Sequence, residues 1–332
     1  MNLRQLRGYC PLCRDVACAL CSVAANLIKR GGKPDKLSTG VKMAQDKGAA
    51  HSRSEAASGW MLISPTFLYA VLLLAAPLVA VLFYALTLKD TGGISFGNFW
   101  EVWTKPIYQK LMGRSLTVSL SVTVVTVLLA YPVAYFVSFH VHPSKKSLWL
   151  FLITIPFWTS YLIRVFLWKV ILGYNGVINS GLMSVGIIET PLTIINYNVP
   201  AMILTLAHAY APFAILPIFV SLEKIDRSLL EAGQDLGENR FMTFLRVTLP
   251  LSMAGVIAAV LIVFIPTVGD YVTPDLIGGG KLPMIANAIE VEMLKKNDRH
   301  LGSAIAITAM LIVGLVSLIF LFVNKRFLRG AK

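Results

Sequence analysis

The chain has 332 residues, of which 56% are hydrophobic and only 14% carry a charge. A soluble domain has about a quarter of its residues charged, so this composition excludes an ordinary soluble protein. It also excludes a disordered chain, a collagen, a coiled coil and a disulfide-rich secreted scaffold. The net charge of +13 would indicate nucleic acid in a soluble protein. In a polytopic membrane protein no nucleic acid is needed to explain it, because cytoplasmic loops collect Lys and Arg.

Six apolar stretches are long enough to cross a bilayer, which takes about 20 residues. Backbone polar groups cannot stay unpaired in hydrocarbon, so each stretch is predicted to be a helix, with kinks at internal prolines such as Pro156 and Pro217. The fold class is therefore an all-α membrane protein with six transmembrane helices. The predicted crossings are Met61–Leu88, Ser115–Phe139, Leu148–Leu172, Val199–Leu222, Pro250–Val268 and Leu301–Val323.

An even number of crossings places both termini on the same side of the membrane. Twenty of the 30 Lys and Arg residues fall on that side and eight fall on the other. Cytoplasmic segments are enriched in these residues, so both termini are predicted to be cytoplasmic. Without the long N-terminal tail the balance is ten against eight.

An aromatic segment follows the first crossing and carries Phe96, Phe99, Trp100 and Trp103 at near-helical spacing. Tryptophan is enriched where the membrane meets water. The segment is therefore predicted to be a short helix lying at the outer interface.

The N-terminal tail, residues 1–60, is polar and basic and is predicted to be a disordered cytoplasmic segment ahead of a permease domain in residues 61–332. It lacks the apolar core and cleavage site of a signal peptide. An alternative is that translation starts downstream, for example at Met43 or Met61. The tail holds four cysteines that could bind zinc or an iron–sulfur cluster, but their CxxC-x4-CxxC gap is short for a zinc ribbon. The prediction is reduced thiols, no metal and no cofactor; the four residues are Cys10, Cys13, Cys18 and Cys21.

The connection between the fourth and fifth crossings contains the stretch 231–250, EAGQDLGENRFMTFLRVTLP. Its pattern predicts a short helix, a turn at Gly237 and a second helix that enters the membrane at Pro250, since proline suits the first turn of a helix. By composition alone, a solvated connector is the favoured interpretation.

This stretch resembles the EAA loop of permease subunits of binding-protein-dependent ABC importers. Glu231, Ala232, Gly237, Leu249 and Pro250 stand at the offsets of that motif, and a glycine replaces the usual alanine at position 233. The resemblance runs from about residue 61 to the C-terminus and implies the type I importer architecture in a bacterial inner membrane. It also implies that the loop is a coupling helix in which Glu231 faces a basic residue of a cytoplasmic ATPase. The other implied partners are a second permease subunit and a secreted solute-binding protein.

Three further stretches indicate which subfamily of importer permeases the chain resembles. They read SLEKIDR at Ser221–Arg227, IPFWTSYLIR at Ile155–Arg164 and FIPTVGDYVTPDLIGGG at Phe264–Gly280. Together they resemble the permeases of spermidine and putrescine importers. Importers of iron, thiamine or opines share parts of the pattern, so these solutes remain alternatives.

The candidate solute path, expected between paired permease subunits near the membrane midplane, combines aromatic and ionisable residues. Trp158, Tyr161 and Arg164 fall close to one helical face, together with Trp168. Ionisable groups inside a crossing are costly and usually face a cavity or a partner. The other candidates lie beyond the fifth crossing, where carboxylates and an aromatic ring suit an ammonium group; they are Asp270, Tyr271 and Asp275. The membrane-embedded His208 is expected to form a hydrogen bond with a neighbouring helix.

The sequence shows no catalytic set, no GxxxxGK[ST] phosphate loop and no HExxH motif, so we expect a transport protein driven by another subunit rather than an enzyme. An ion-coupled secondary transporter remains an alternative, but it gives the EAA-like loop no role.

Overall fold

The computed structural model describes residues 64–88, 93–192 and 197–329. The tail 1–60 and its four cysteines lie outside the described residues. The chain divides into two units, Met1–Pro77 and Leu78–Lys332, and within the first unit the description is limited to the start of one helix. The described residues form helices and turns with one antiparallel bridge, between Thr87 and Ile94.

Six helical spans in the described residues are long and apolar enough to cross a membrane, which agrees with the predicted number. The second span begins at Pro106 rather than at the predicted Ser115, and the third span covers Tyr161–Ser184. In chain order the helices are α1 (Ser64–Leu86), α2 (Gly97–Thr104), α3 (Pro106–Phe139), α4 (Pro143–Thr154), α5 (Tyr161–Leu172), α6 (Val177–Ser184), α7 (Val199–Glu223), α8 (Arg227–Asp235), α9 (Arg240–Val268), α10 (Val272–Leu276), α11 (Ile285–Glu290), α12 (Arg299–Val323) and α13 (Lys325–Arg329).

The third predicted crossing, Leu148–Leu172, is not one continuous helix. Its first residues belong to α4, which passes into a 3-10 turn at Ile155–Trp158. Pro156 has no N–H to continue the α-helical ladder, and the backbone is extended at Thr159, with ψ 146°. The Thr159 hydroxyl donates to the Pro156 carbonyl at 2.7 Å. The chain therefore breaks between α4 and α5, where a kink was predicted.

The helix of the fifth crossing extends further toward the N-terminus than the predicted crossing. Its helix, α9, starts at Arg240 and continues through Pro250, which was expected to begin it. A π-helical turn at Phe244–Thr248 precedes the proline, and the Leu249 N–H bonds to the Phe244 carbonyl. A π turn relieves the local ladder where proline lacks a donor, so the helix passes the proline without ending.

The short aromatic helix predicted after the first crossing is present as α2. Its Trp100 and Trp103 side chains are exposed. On the opposite side, the buried Asn98 amide donates to the carbonyls of Ala85 and Thr87 at 3.0 and 2.9 Å. These bonds fix α2 to the end of α1, and the exposed tryptophans suit a membrane interface.

Residues 269–298, which connect α9 to α12, are anchored to α3. The Tyr108 hydroxyl donates to the buried Glu292 carboxylate at 3.1 Å. The Ser115 hydroxyl accepts from the Ile285 N–H at 2.8 Å. Two apolar clusters then hold the bundle, one among α3, α5, α7 and α9, the other where α2, α11 and α12 meet the end of α9.

Helices α7 and α9 pack closely at Gly255. A Cβ atom there would lie 2.5 Å from both the Pro217 carbonyl oxygen and the Ser221 Cβ. Real Cβ atoms essentially never come this close to other heavy atoms, so the glycine is what allows the tight packing at this point. Close packing of this kind is a main source of helix association in membranes.

We expect Gly255→Val to lower the free energy of unfolding by about 2 kcal/mol or more, since it forces α7 and α9 apart. Thermal unfolding of the purified protein in detergent measures the effect. Gly113→Ala is the matched control, because a Cβ at Gly113 meets nothing within 4 Å. Equal midpoints for the two variants would contradict the close approach.

Candidate coupling loop and solute path

Helix α8 has a defined beginning. The Asp226 carboxylate precedes the helix and accepts from the Ser228 N–H at 3.0 Å. This N-cap satisfies one of the backbone donors that a helix leaves free at its start. The bond also lowers the pKa of Asp226 below its ordinary value.

The turn predicted at Gly237 is present and ends α8. Gly237 has φ +88°, a left-handed conformation that side chains disfavour. Its N–H bonds to the Gln234 carbonyl at 2.9 Å, and the Glu238 N–H bonds to the Gly233 carbonyl at 3.2 Å. This pair of bonds is a Schellman motif, which closes the end of a helix without help from side chains.

Gly233, the position where the loop departs from the EAA pattern, is buried against α9. A Cβ at this position would lie 3.2 Å from the Thr243 Cγ2 atom. Asn239 caps the start of α9 by accepting from the Met242 N–H at 2.8 Å. The glycine therefore lets α8 fold back closely onto the first turn of α9.

Glu231 lies on an exposed face of α8. Together with Arg227 and Gln234 it lines a cavity of about 450 Å3 between α8, the start of α9 and the end of α3. Within the described part of the chain, Glu231 makes no hydrogen bond or ion pair, whereas Glu238 pairs with Arg246 at 2.7 Å. The Glu231 carboxylate is thus open to a partner.

The other predicted motif residues divide between surface and helix. Ala232 and Gly237 are exposed, on α8 and its turn. Leu249 and Pro250 are partly buried in α9, beyond the π turn. The structure therefore groups Glu231, Ala232 and Gly237 at one surface, and the Leu-Pro pair belongs to the helix that carries this surface.

An ion pair that sequence reasoning missed holds this loop to the membrane helices. Glu223, the last residue of α7, accepts from Lys146 of α4 at 2.5 Å and from Ser138 of α3 at 2.7 Å. The connections 141–147 and 223–249 were predicted to lie on the same side of the membrane. That shared side was the signal from which a charge pair between the two connections could have been predicted.

Beyond the opposite end of α9 lies a closed polar cluster around Asp270. The Tyr161 hydroxyl donates to the Asp270 carboxylate at 2.9 Å and lies 2.8 Å from the Thr273 hydroxyl. The carboxylate also accepts from the Val272 N–H at 3.1 Å and is only 7% exposed. Burial raises the pKa of Asp270, and the bonds from Thr273 and Tyr161 oppose that rise.

Arg164 is buried one turn along α5 from Tyr161. Its Nη1 donates to the Ala209 carbonyl at 3.2 Å, and its guanidinium carbon lies 6.0 and 5.9 Å from the ring centres of Phe157 and Tyr161. No carboxylate pairs with it among the described residues. Aromatic faces and a carbonyl therefore compensate this charge.

The predicted face that joined Trp158 to Tyr161 is wrong. The helix breaks between them, and Trp158 is exposed with its ring against Phe151. Asp275 and Tyr271 are also exposed, and Asp275 accepts from the Asn287 amide at 3.1 Å. The expected hydrogen bond of His208 is present, to Trp168 at 3.1 Å.

No group of three His, Cys, Asp or Glu residues that could hold a metal occurs within residues 64–88, 93–192 and 197–329. The predicted cysteine cluster falls outside these ranges.

Residues 93–331 match the family of binding-protein-dependent transport system inner membrane components. The match covers the loop, the broken third crossing and the last helix. The chain belongs to this family. It is a multi-pass inner-membrane permease subunit of an ABC importer, and the family is a class of transport proteins rather than of enzymes.

Relatives of this permease include the spermidine/putrescine transport system permease protein PotB of Haemophilus influenzae. The two are 38% identical over 232 residues, 70% of this chain and 80% of the relative. The PotB protein of Escherichia coli is also 38% identical, over 65% of this chain and 78% of its own. The inner membrane ABC transporter permease protein YdcU of Escherichia coli is 28% identical over 58% of this chain and 64% of its own.

Two solved structures of a bacterial alginate ABC transporter have the same fold. One contains a pentasaccharide-bound periplasmic protein and gives a TM-score of 0.63 at 18% identity, over 80% of this permease and 93% of that chain. The other gives a TM-score of 0.62 at 16% identity, over 83% and 99%. The type I importer architecture implied by the EAA-like loop is thus confirmed as a fold.

We expect Tyr161→Phe to lower the free energy of unfolding by about 2 kcal/mol, because it removes the phenolic donor to a buried carboxylate. Unfolding in detergent is the measurement. Tyr174→Phe is the control, since Tyr174 is an exposed tyrosine a short distance along the chain. A Tyr161 variant as stable as the control would show that the cluster around Asp270 does not hold α5 to α10.

Proposed function

We propose that this permease imports spermidine or putrescine, using ATP hydrolysed by separate cytoplasmic subunits. The observation that carries the proposal is the 38% identity to two PotB proteins over about four-fifths of their length. The polar groups beyond α9 suit a cationic solute, because carboxylates and aromatic faces both attract ammonium groups. Import of iron, thiamine or an opine is the disfavoured alternative.

The ATPase subunit docks on α8 and the turn that follows it. Leu229 and Leu236 are 47% and 86% exposed there, one before and one after Glu231 along the chain. Exposed apolar side chains beside an unpaired charge are typical of a protein interface. Glu231 pairs with a basic residue of the ATPase, and the Schellman turn at Gly237 sets the shape of the docked surface.

The remaining partners follow from the same architecture. A second permease subunit, identical or related, completes the path through the membrane, and a secreted solute-binding protein delivers the solute from outside. The loop and both termini face the cytoplasm, which agrees with the excess of Lys and Arg on that side. The tail 1–60 lies outside the family match and is dispensable for uptake.

The proposal predicts ATP-driven uptake of labelled putrescine or spermidine by proteoliposomes that contain this permease, its partner subunits and the binding protein. Uptake is expected to cease when ATP is replaced by a non-hydrolysable analogue. An imposed proton or sodium gradient without ATP is expected to drive none. Uptake driven by such a gradient would instead favour a secondary transporter, and a binding protein that captures only anions would exclude polyamines.

The coupling role predicts that Glu231→Ala and Gly237→Asp lose uptake while still inserting in the membrane. Truncating one side of a partly buried charge pair costs about 2–5 kcal/mol, and a side chain at a positive φ costs on the order of 1 kcal/mol. Co-purification of the ATPase subunit and uptake by proteoliposomes measure the two losses. Solute capture by the binding protein should be unchanged.

Lys325→Ala in α13 serves as the control for these variants, because its ammonium is exposed and contacts only the Phe322 ring among described residues. The control should retain the ATPase and normal uptake. If both loop variants do the same, α8 is not the docking surface, and its assignment to the cytoplasmic side loses its main support.

A further inference from the structure

A cavity of about 570 Å3 lies beside the connection between α9 and α12. Most of its wall is apolar and includes Ile289, Met293 and Leu294. Its polar lining includes the carboxylate of Glu290 and the half-exposed ring of Tyr271. An apolar trough with one carboxylate and one aromatic ring suits a molecule that has both a methylene chain and a positive charge.

Only one of the two oxygens of the Glu290 carboxylate interacts with another described residue. One oxygen lies 3.4 Å from the Lys295 ammonium. The other is buried and has no hydrogen-bond partner among the described residues. That oxygen is closed to solvent, so a ligand in the cavity reaches the carboxylate through the oxygen that faces Lys295, while the missing donor leaves the carboxylate poorly compensated.

The backbone accounts for the pairing of Glu290 with Lys295. Residues 291–295 form a π-helical turn, in which hydrogen bonds join residues five apart and the extra residue per turn brings position i+5 closer to position i than in an α-helix. An ordinary α-helix would bring position 294 to Glu290 instead, and that residue is leucine. The π turn therefore holds a lysine against the carboxylate that lines the cavity.

Lysine 295 itself shows what the site can accept. Its side chain is four methylenes ending in an ammonium, and this is also the chemistry of the aminobutyl end of putrescine or spermidine. The side chain is 60% exposed, so it can leave Glu290 at small cost. A solute with the same end group can take its place.

We propose that this cavity binds the primary ammonium end of an aliphatic polyamine on Glu290, and that Lys295 is a tethered competitor which the solute displaces. The inference rests on the proposed polyamine function and adds a recognition site within the permease. Lys295 is released to water on displacement, and its return to Glu290 helps the solute to leave.

Other ligand classes fit the cavity poorly. A hard divalent cation needs about six oxygen ligands, and the lining supplies few besides Glu290 and Asn297. An anion would meet the negative charge of the Glu290 carboxylate, so a monovalent ammonium group on an apolar chain fits best.

The test measures the KM for putrescine uptake by the complete transporter in proteoliposomes and compares the wild type with variants of this permease. Glu290→Gln should raise KM about tenfold, because it removes the charge that holds the ammonium. Lys295→Met should lower KM about threefold or more, because the carboxylate is then free of its competitor. Glu290→Asp should restore part of the loss.

The matched control is the exposed pair Glu101 and Lys105, which does not line the cavity. Glu101→Gln and Lys105→Met should leave KM unchanged. If the Glu290→Gln variant fails to assemble, the Lys295→Met variant alone tests the proposed site. An unchanged or raised KM in the Lys295→Met variant would contradict binding of the ammonium group at Glu290. Wild-type transporter without polyamine uptake would refute the proposed function, whereas normal wild-type uptake with an unaffected Glu290→Gln variant would refute only this inference.

Discussion

In hydrocarbon every backbone carbonyl needs a donor, and the local geometry of this permease depends on how it meets that need around its prolines. At Pro156 the helix of the third crossing is interrupted, and the Thr159 hydroxyl donates a hydrogen bond to the Pro156 carbonyl. At Pro250 a π turn carries α9 past the residue without a break. The same element recurs in the connection to α12, where it sets Lys295 against Glu290. Departures from the regular ladder therefore mark the break in the third crossing, the first part of α9 and the cavity that Glu290 lines.

Five carboxylates of the described region contrast in how they are paired. Asp270 and Glu292 are buried and accept hydrogen bonds from other helices, and the exposed Glu223 accepts from Lys146 and Ser138. Glu231 and Glu290 each keep acceptor capacity that no described residue uses. For Asp270 and Glu292 the pairing matters most, because an unmet buried charge is costly. Glu231 and Glu290 instead line cavities at the two ends of α9. The charges that join helices are thus separate from the charges that remain open.

Much of the fold was accessible from sequence because apolar length is a strong signal in membranes. The six spans, the interfacial helix and the turn at Gly237 follow from run length, Trp spacing and the need for glycine at positive φ. The start of α9 at Arg240 was missed because proline favours a first turn, and a π turn leaves no simple trace in sequence. Trp158 was misplaced because helical spacing was extended across a break. Glu290 was overlooked because its importance depends on which residue the π turn places beside it, and pairings at that range are fixed by tertiary geometry.

The length of α9 has a mechanical consequence. Its 29 residues form one rod, roughly 43 Å long at 1.5 Å per residue, against a hydrocarbon core of about 30 Å. More than 10 Å of the rod therefore projects past the hydrocarbon, and its first turn is capped by the same loop that carries Glu231. A tilt imposed on that end swings the far end in the opposite sense, with the membrane as fulcrum. The π turn lies near the capped end of this rod, between its first turn and Pro250, so the regular ladder is interrupted between the end that Asn239 caps and the rest of the helix.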